Sequence, residues 1–341
     1  MGHTLTLIGD VQKQVHADDD ALDEARTRRR SVLQICRGFR GALRTYVSGS
    51  LAAGVVTHPV VDADGGVVFD RRVYPSLGPD GDGEAPTQLV SDLHHFLGPE
   101  IRRSWSEAKV YDMKRGLRIF FHEPLSDGQD PYVDVVVGIG RGAGAGLWIP
   151  NLDIPRWDPS DPEKHVELFT QGSRGLRRAR AQVTRLGKAW NNQYGSPGMT
   201  SFNVCALARE AITTAVPVDE GLSTFFDHAA TALNERRTED PAGVSGPIDL
   251  KEPKEVVVGR LRDARDQLRE ALANDDDAHI VGEALHGVFW KYLPAPASAS
   301  SKNEVATRLR HETPRLRATG AGVVIAGAVK RKRAFGGLWH G

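Results

Sequence analysis

Residues 48–70 read SGSLAAGVVTHPVVDADGGVVFD. Gly and Ser cluster ahead of a run of Val and Phe, which is the signature of a turn leading into a strand. Asp62 and Asp64 are two apart at the head of that run, and such residues project to the same face of a strand. Both carboxylates can therefore ligate one divalent cation or bridge a pair. Gly49 and Ser50 lie about a dozen residues earlier, at the turn. Glycine lets a backbone approach a phosphate closely, and the Ser hydroxyl with nearby amides can bind its oxygens. On spacing alone, DADGG is equally an ordinary turn. It is not a calcium loop: an EF-hand starting at Asp62 wants other residues where Gly66, Val67 and Val73 stand.

A further acid of interest is Asp134, in YVDVVVG at 132–138. A carboxylate flanked by Tyr132, Val133, Val135 and Val136 is costly to bury unless it is paired or metal-bound. Three acids at adjacent strand ends suit phosphoryl or nucleotidyl transfer, which needs cations held by carboxylates and a backbone cradle for phosphates. Strands are expected at 117–122 and 132–137, separated by the turn-like SDGQDP, and a surface loop at 75–86. Upstream, Leu33, Cys36, Phe39, Leu43 and Tyr46 follow a three-four spacing that predicts a long helix over 21–46.

After GRGAGAG and the Pro-rich WIPNLDIPRWDPSDP the pattern becomes helical. Leu176, Ala179, Val183, Leu186 and Trp190 repeat at helical spacing, as do Val257, Leu261, Ala264, Leu268 and Leu272. The expected organisation is a core with an N-terminal helix over 1–160, a helical lobe over 161–294, and a linker and tail over 295–341.

The 341 residues, 40% hydrophobic, suffice for one large domain or two fused lobes. The 44 basic and 44 acidic side chains cancel, so no global field draws the molecule to DNA or a membrane, and a nucleic-acid site would have to be a local patch. Two cysteines far apart, Cys36 and Cys205, speak against a disulfide framework or a paired-cysteine zinc site and fit a reducing, cytoplasmic setting. The start MGHTLTLIGDVQKQVHADDD lacks the layout of a secretion signal, and the longest apolar run, 320–329, is too short to span a bilayer.

The order Gly49-Ser50, then Asp62-Ala63-Asp64, then Asp134 in a hydrophobic strand resembles the polymerase-beta-type nucleotidyltransferase superfamily. The later segments WIPNLDIPRWDPSDPEKH, LGKAWNNQ, MTSFNVCALA and ALHGVFWKYLP resemble cyclic GMP-AMP synthase-like and oligoadenylate synthase-like enzymes, particularly the bacterial CD-NTases of anti-phage defence. The resemblance runs from about Tyr46 to Pro294. It implies an α+β fold: a polymerase-beta-like core with a mixed sheet and an N-terminal helix, and a C-terminal helical lobe. It implies synthesis of a cyclic or short linear oligonucleotide second messenger from nucleoside triphosphates. Asp62, Asp64 and Asp134 would hold two magnesium ions, or manganese in their place, and Gly49 and Ser50 would contact the donor triphosphate. Lys188 and Ser201 match positions that grip the distal phosphates, and Phe202 matches an aromatic that stacks on the donor base.

Two departures stand out. The motif after Phe202 often continues with His and then an acid, where this chain has Asn203 and Cys205, and Gly65 and Gly66 suggest an irregular strand start. Alternatives within the resemblance are transfer to an RNA, protein or antibiotic acceptor, and a catalytically inactive nucleotide or RNA sensor.

Other residues have simpler uses. Lys188 lies two residues from both Leu186 and Trp190, so it points off the apolar stripe toward water or a cleft. Ser201 is also a natural helix N-cap, and Phe202 also a core residue. Asp18 to Asp20 and Asp275 to Asp277 read as caps or turns, and His279 and His286 as surface or packing histidines rather than metal ligands. The terminal KRKRAFGGLWHG reads as a bland end, a basic patch, or a tail whose Gly341 an accompanying conjugating enzyme could join to a partner; an accessory regulator is the other partner the resemblance suggests.

Overall fold

The computed structural model describes residues 2–81, 86–154 and 156–296. The linker beyond 296 and the basic tail with Gly341 lie outside the described residues, as does part of the 75–86 loop.

The chain begins with α1 (His3–Val15) and α2 (Asp19–Arg37), then β1 (Ala42–Ser48), the one-turn α3 (Gly49–Ala52) and β2 (Asp62–Phe69). α4 (Pro86–Ile101) leads to β3 (Lys109–Met113), β4 (Gly116–Phe120) and β5 (Tyr132–Gly140), followed by the hairpin β6 (Leu147–Asn151) and β7 (Arg156–Ser160). The remainder is helical: α5 (Pro162–Thr170), α6 (Arg174–Asn192), α7 (Ser201–Ala211), α8 (Val218–Glu235), α9 (Lys254–Ala273) and α10 (Ala278–Val288). The mixed sheet runs β1-β2-β5-β4-β3, with β6 on the end of β5 and β7 beyond it. Among the described residues only β2 and β5 pair in parallel; the other neighbours are antiparallel.

Period-two alternation divides the central strands between two environments. Ala63, Val67, Phe69, Val133, Val135, Val137 and Ile139 pack on one face against α2 and α4, which contribute Ala21, Ala25, Val32, Leu93 and Leu97. The acids occupy the opposite face. The second core is helical and draws on α6 to α10, with Trp190, Phe225, Phe226 and Phe289 at its centre. Ile8, Val11 and Val15 of α1 pack into this helical core. Asp275 on the far side accepts the backbone N–H of Thr4 at 2.7 Å and ties that first turn down.

Several expectations are corrected. The helix over 21–46 stops at Arg37: Gly38 caps it, Gly41 takes the left-handed φ of +77°, and Leu43 and Tyr46 fall on β1. β1 adopts strand periodicity because it pairs with β2, a long-range fact that local spacing does not carry. The Pro-rich segment after 146 forms a hairpin, with Trp148 opposite Pro159 and Pro150 opposite Trp157. Pro159 is tolerated because β7 is a sheet edge, and Pro150 lies past Leu147 and Trp148, the β6 residues that pair with β5. Nor is the start of β2 irregular, since its register with β5 is unbroken from Asp62↔Tyr132 to Phe69↔Ile139. Gly65 and Gly66 are there for room: a Cβ at 65 would come within 2.8 Å of Leu33 and of the Tyr46 carbonyl, and one at 66 would enter the Tyr46 ring.

The acidic caps behave as expected. Asp18 accepts from Ala21 N–H, and Asp277 accepts from His279 and Ile280 N–H. His286 Nδ1 is bonded to the Leu293 carbonyl. No helix among the described residues is long and apolar enough to cross a membrane.

Candidate active site

Asp64 of β2 stands opposite Asp134 of β5 in the parallel register, and Asp62 stands opposite Tyr132. Because the pairs are in register and two apart, all three carboxylates leave the same face of the sheet. Asp64 and Asp134 are buried, and Asp62 is partly so.

Crowding dominates the electrostatics. Burial, then the charge of Asp134, pushes the Asp62 carboxyl up to about 6, against the opposing pull of Lys188 and Arg118. Burial and the neighbouring Asp62 and Asp134 push Asp64 well above the usual carboxylate range, and Arg29 and Arg118 offset this only in part. Asp134 is raised by burial, although Arg118 opposes the shift. Groups whose ionised forms are disfavoured in this way are relieved by a bound cation, and an all-oxygen set suits a hard divalent ion such as magnesium.

Arg118 is the site residue that the sequence reading missed. It lies on β4 opposite Asp134, and its Nε and Nη2 donate to Oδ1 and Oδ2 of that carboxylate, each at 2.7 Å. Its guanidinium also lies over the Tyr132 ring, 4.1 Å from the centroid. Among the described residues no three Asp, Glu, His or Cys side chains surround a common point as a preformed metal site. Both oxygens of Asp134 are engaged by the Arg118 fork.

The Gly49–Ser50 turn sits above this face. Gly49 has a φ of +71°, and a Cβ there would run into the Asp64 carboxylate, so conformation and space both require glycine. Ser50 accepts the Val55 N–H through its backbone carbonyl at 2.9 Å, closing the segment that follows α3. Lys188 of α6 reaches this segment from the helical lobe, donating from Nζ to the Val55 carbonyl at 3.0 Å. The expectation that Lys188 faces water or a cleft is half corrected. It does leave the apolar stripe, but the chain packed over it leaves it only 5% exposed, and its charge opposes the upward shift of the Asp62 carboxyl.

The α7 residues are less directly engaged. Ser201 is exposed at the first position of the helix, and the N-cap is Thr200, whose hydroxyl accepts the Asn203 N–H at 3.0 Å. Phe202 is buried with Ala53, Val55, Phe169 and Cys205, and its ring meets His165 at 4.7 Å between centroids. It also lines a small cavity of about 160 Å³ with Arg115, Ile149, His165 and Ser245. Asn203 is a core residue: its Oδ1 accepts from Thr238 at 2.6 Å and its Nδ2 donates to the Asp249 carbonyl. His165 is held in turn by Asp240, 2.5 Å from Nε2, and Asp240 also accepts N–H groups from Ala242, Val244 and Ser245. Burial alone would raise the Asp240 carboxyl, but these hydrogen bonds hold it well below the usual range.

No family model and no curated protein matches the sequence. The fold does match solved structures. CdnC of E. coli MS115-1, solved with ATP, is 16% identical over 85% of this chain and 98% of its own, with a TM-score of 0.61; the same protein has been solved with HORMA-deltaN. The CD-NTase CdnG of Bradyrhizobium diazoefficiens, in complex with GTP, is 14% identical over 84% of this chain and 95% of its own, with a TM-score of 0.61. The Vibrio cholerae DncV cyclic AMP-GMP synthase, in complex with the linear intermediate 5' pppA(3',5')pG, is 14% identical over 85% of each chain, with a TM-score of 0.54. The α+β architecture with its helical C-terminal part is thus that of the bacterial CD-NTases.

Proposed function

We propose that this chain, built on the bacterial CD-NTase fold, is a nucleotidyltransferase that joins nucleoside triphosphates into a cyclic or short linear oligonucleotide second messenger. The observation that carries the reading is the convergence of Asp62, Asp64 and Asp134 on one sheet face beneath the Gly49–Ser50 turn. Fold alone does not imply this chemistry, but a buried, mutually repelling carboxylate set beside a glycine turn is what it needs.

Two magnesium ions, or manganese, would be held by Asp62, Asp64 and Asp134 and would supply charge neutralisation at the triphosphate and the leaving pyrophosphate. The protein's own part is positioning. The Gly49 backbone and the Ser50 hydroxyl bind donor phosphate oxygens, and Lys188 and Ser201 close on the distal phosphates from the helical lobe. Phe202, with His165 behind it, bounds the donor base. Asp134 accepts the proton of the acceptor ribose hydroxyl, and Arg118 keeps that carboxylate aimed until substrate arrives. Cyclisation then requires the linear intermediate to rebind with its ends exchanged. A role in anti-phage signalling, in the cytoplasm and under an accessory regulator, follows from the same reading; CdnC, solved with HORMA-deltaN, supports the regulator.

The test is product analysis from the four mixed ribonucleoside triphosphates with magnesium, with and without RNA. A small phosphatase-resistant product formed without RNA supports the proposal. Label transferred only to RNA, or no nucleotide turnover with all three acids intact, overturns it.

A further inference from the structure

A second concave site lies apart from the carboxylate face. It is a cavity of about 500 Å³ between the end of α3, the end of α5, and α6 and α7. That volume lies in the range that holds nucleotide-sized ligands. Its charged lining is wholly basic: Arg174, Arg177, Arg178, Arg180 and Arg209, accompanied by Thr184. Among the described residues none of the five arginines forms an ion pair with a carboxylate. Arg180 spends its Nε on the Ile212 carbonyl, and the Nε of Arg209 is buried with no hydrogen-bond partner. Burial, and then the neighbouring Arg209, holds the Arg180 guanidinium below its ordinary value. Five unneutralised guanidiniums around one cavity, in a chain whose total charge is zero, are a local concentration of positive potential. Their planar forks match phosphate oxygens.

The position matters as much as the charge. None of the residues assigned to nucleotide or metal lines this cavity, but Gly54 and Val55 do. These two are the residues by which α6 holds the segment after the Gly49–Ser50 turn: Arg185 donates to the Gly54 carbonyl at 2.9 Å and Lys188 to that of Val55 at 3.0 Å. A ligand drawn against Arg177 and Arg180 would therefore press on a wall continuous with the turn.

We propose that this cavity binds a compact, multiply charged phosphate ligand of nucleotide size, and that occupancy biases the Gly49–Ser50 turn. The binding half stands by itself; the second half rests on the proposed nucleotidyltransferase reading. The test titrates inorganic tripolyphosphate into the full chain in EDTA by calorimetry, comparing wild type, Arg174→Glu/Arg178→Glu and Asp62→Asn/Asp64→Asn. One equivalent should bind wild type and the aspartate variant, with affinity reduced about tenfold or more in the arginine variant at unchanged melting temperature. Arg177→Ala, at an exposed position, serves the same purpose if the double reversal lowers the melting temperature. Equal binding by the arginine variants overturns the proposal, as does loss of binding only in the aspartate variant, which would put the ligand in the carboxylate cleft. In a parallel titration, duplex RNA binding through these arginines without tripolyphosphate binding also overturns it, in favour of a nucleic-acid face. If the arginines bind tripolyphosphate but the chain makes no oligonucleotide, the site stands and the proposed function falls.

Discussion

Arg118 holds Asp134 in a two-pronged grip, Nε to Oδ1 and Nη2 to Oδ2, between side chains that are 3% and 2% exposed. The third acid of the site is thus satisfied by a guanidinium where it would otherwise face two more carboxylates unaided. Removing one member of a buried pair leaves the other uncompensated, at a cost of about 3–5 kcal/mol. Arg118→Met is expected to lower the melting temperature accordingly. Magnesium or manganese should restore more stability to that variant than it adds to wild type, because a cation then takes over the role of the fork. Thermal melts with and without metal measure both effects.

Gly49→Ala should be severe and Gly54→Ala mild, although the two glycines share a φ near +70°. A Cβ at 54 meets nothing, so that variant bears only the left-handed strain of about 1–2 kcal/mol. At 49 the same strain is joined by collision with the Asp64 carboxylate. Activity and melting temperature of the pair separate the two contributions.

Lys188→Met keeps the aliphatic stem and deletes the ammonium. One charge-assisted contact to phosphate is worth about 1.5–3 kcal/mol, which corresponds to a donor KM raised about 10- to 160-fold with little change in kcat. Steady-state kinetics with varied triphosphate checks this, and an unchanged KM leaves the ammonium as a prop for the Val55 carbonyl alone.

Asp240 supplies a pH signature. Its carboxyl titrates below its ordinary value in the folded chain, so its contribution to stability is present above the unfolded pKa of about 4 and is lost as pH falls through the folded value. Asp240→Asn is expected to melt below wild type at pH 7, and the gap should narrow as the pH drops below about 4. Paired melting curves across that range test the sign.

The parts of the fold visible in the amino-acid sequence are those that depend on local period. β2 and β5 announce themselves through Val-rich runs, β4 through the apolar GLRIF, and α6 and α9 through spaced apolar residues. Asp134 is conspicuous because a lone acid in a valine strand needs a partner. The same logic applied to Arg118, a lone cation in GLRIFF, would have exposed the pair, but which residue faces which is set by β4–β5 register and not by spacing. Likewise Lys188 does point off its apolar stripe, yet only the opposite lobe's Val55 decides that it is buried. Thr200 and Ser201 are interchangeable as caps in sequence, and the backbone decides for Thr200.

The central claim is that Asp62 and Asp64, with Asp134 in register beside them, drive release of pyrophosphate from a triphosphate. The direct measurement is magnesium-dependent pyrophosphate release from mixed ribonucleoside triphosphates by wild type and by Asp62→Asn/Asp64→Asn, each checked for an intact melting transition. The account predicts release by wild type and none above background by the variant. Undiminished release by the folded variant would contradict it.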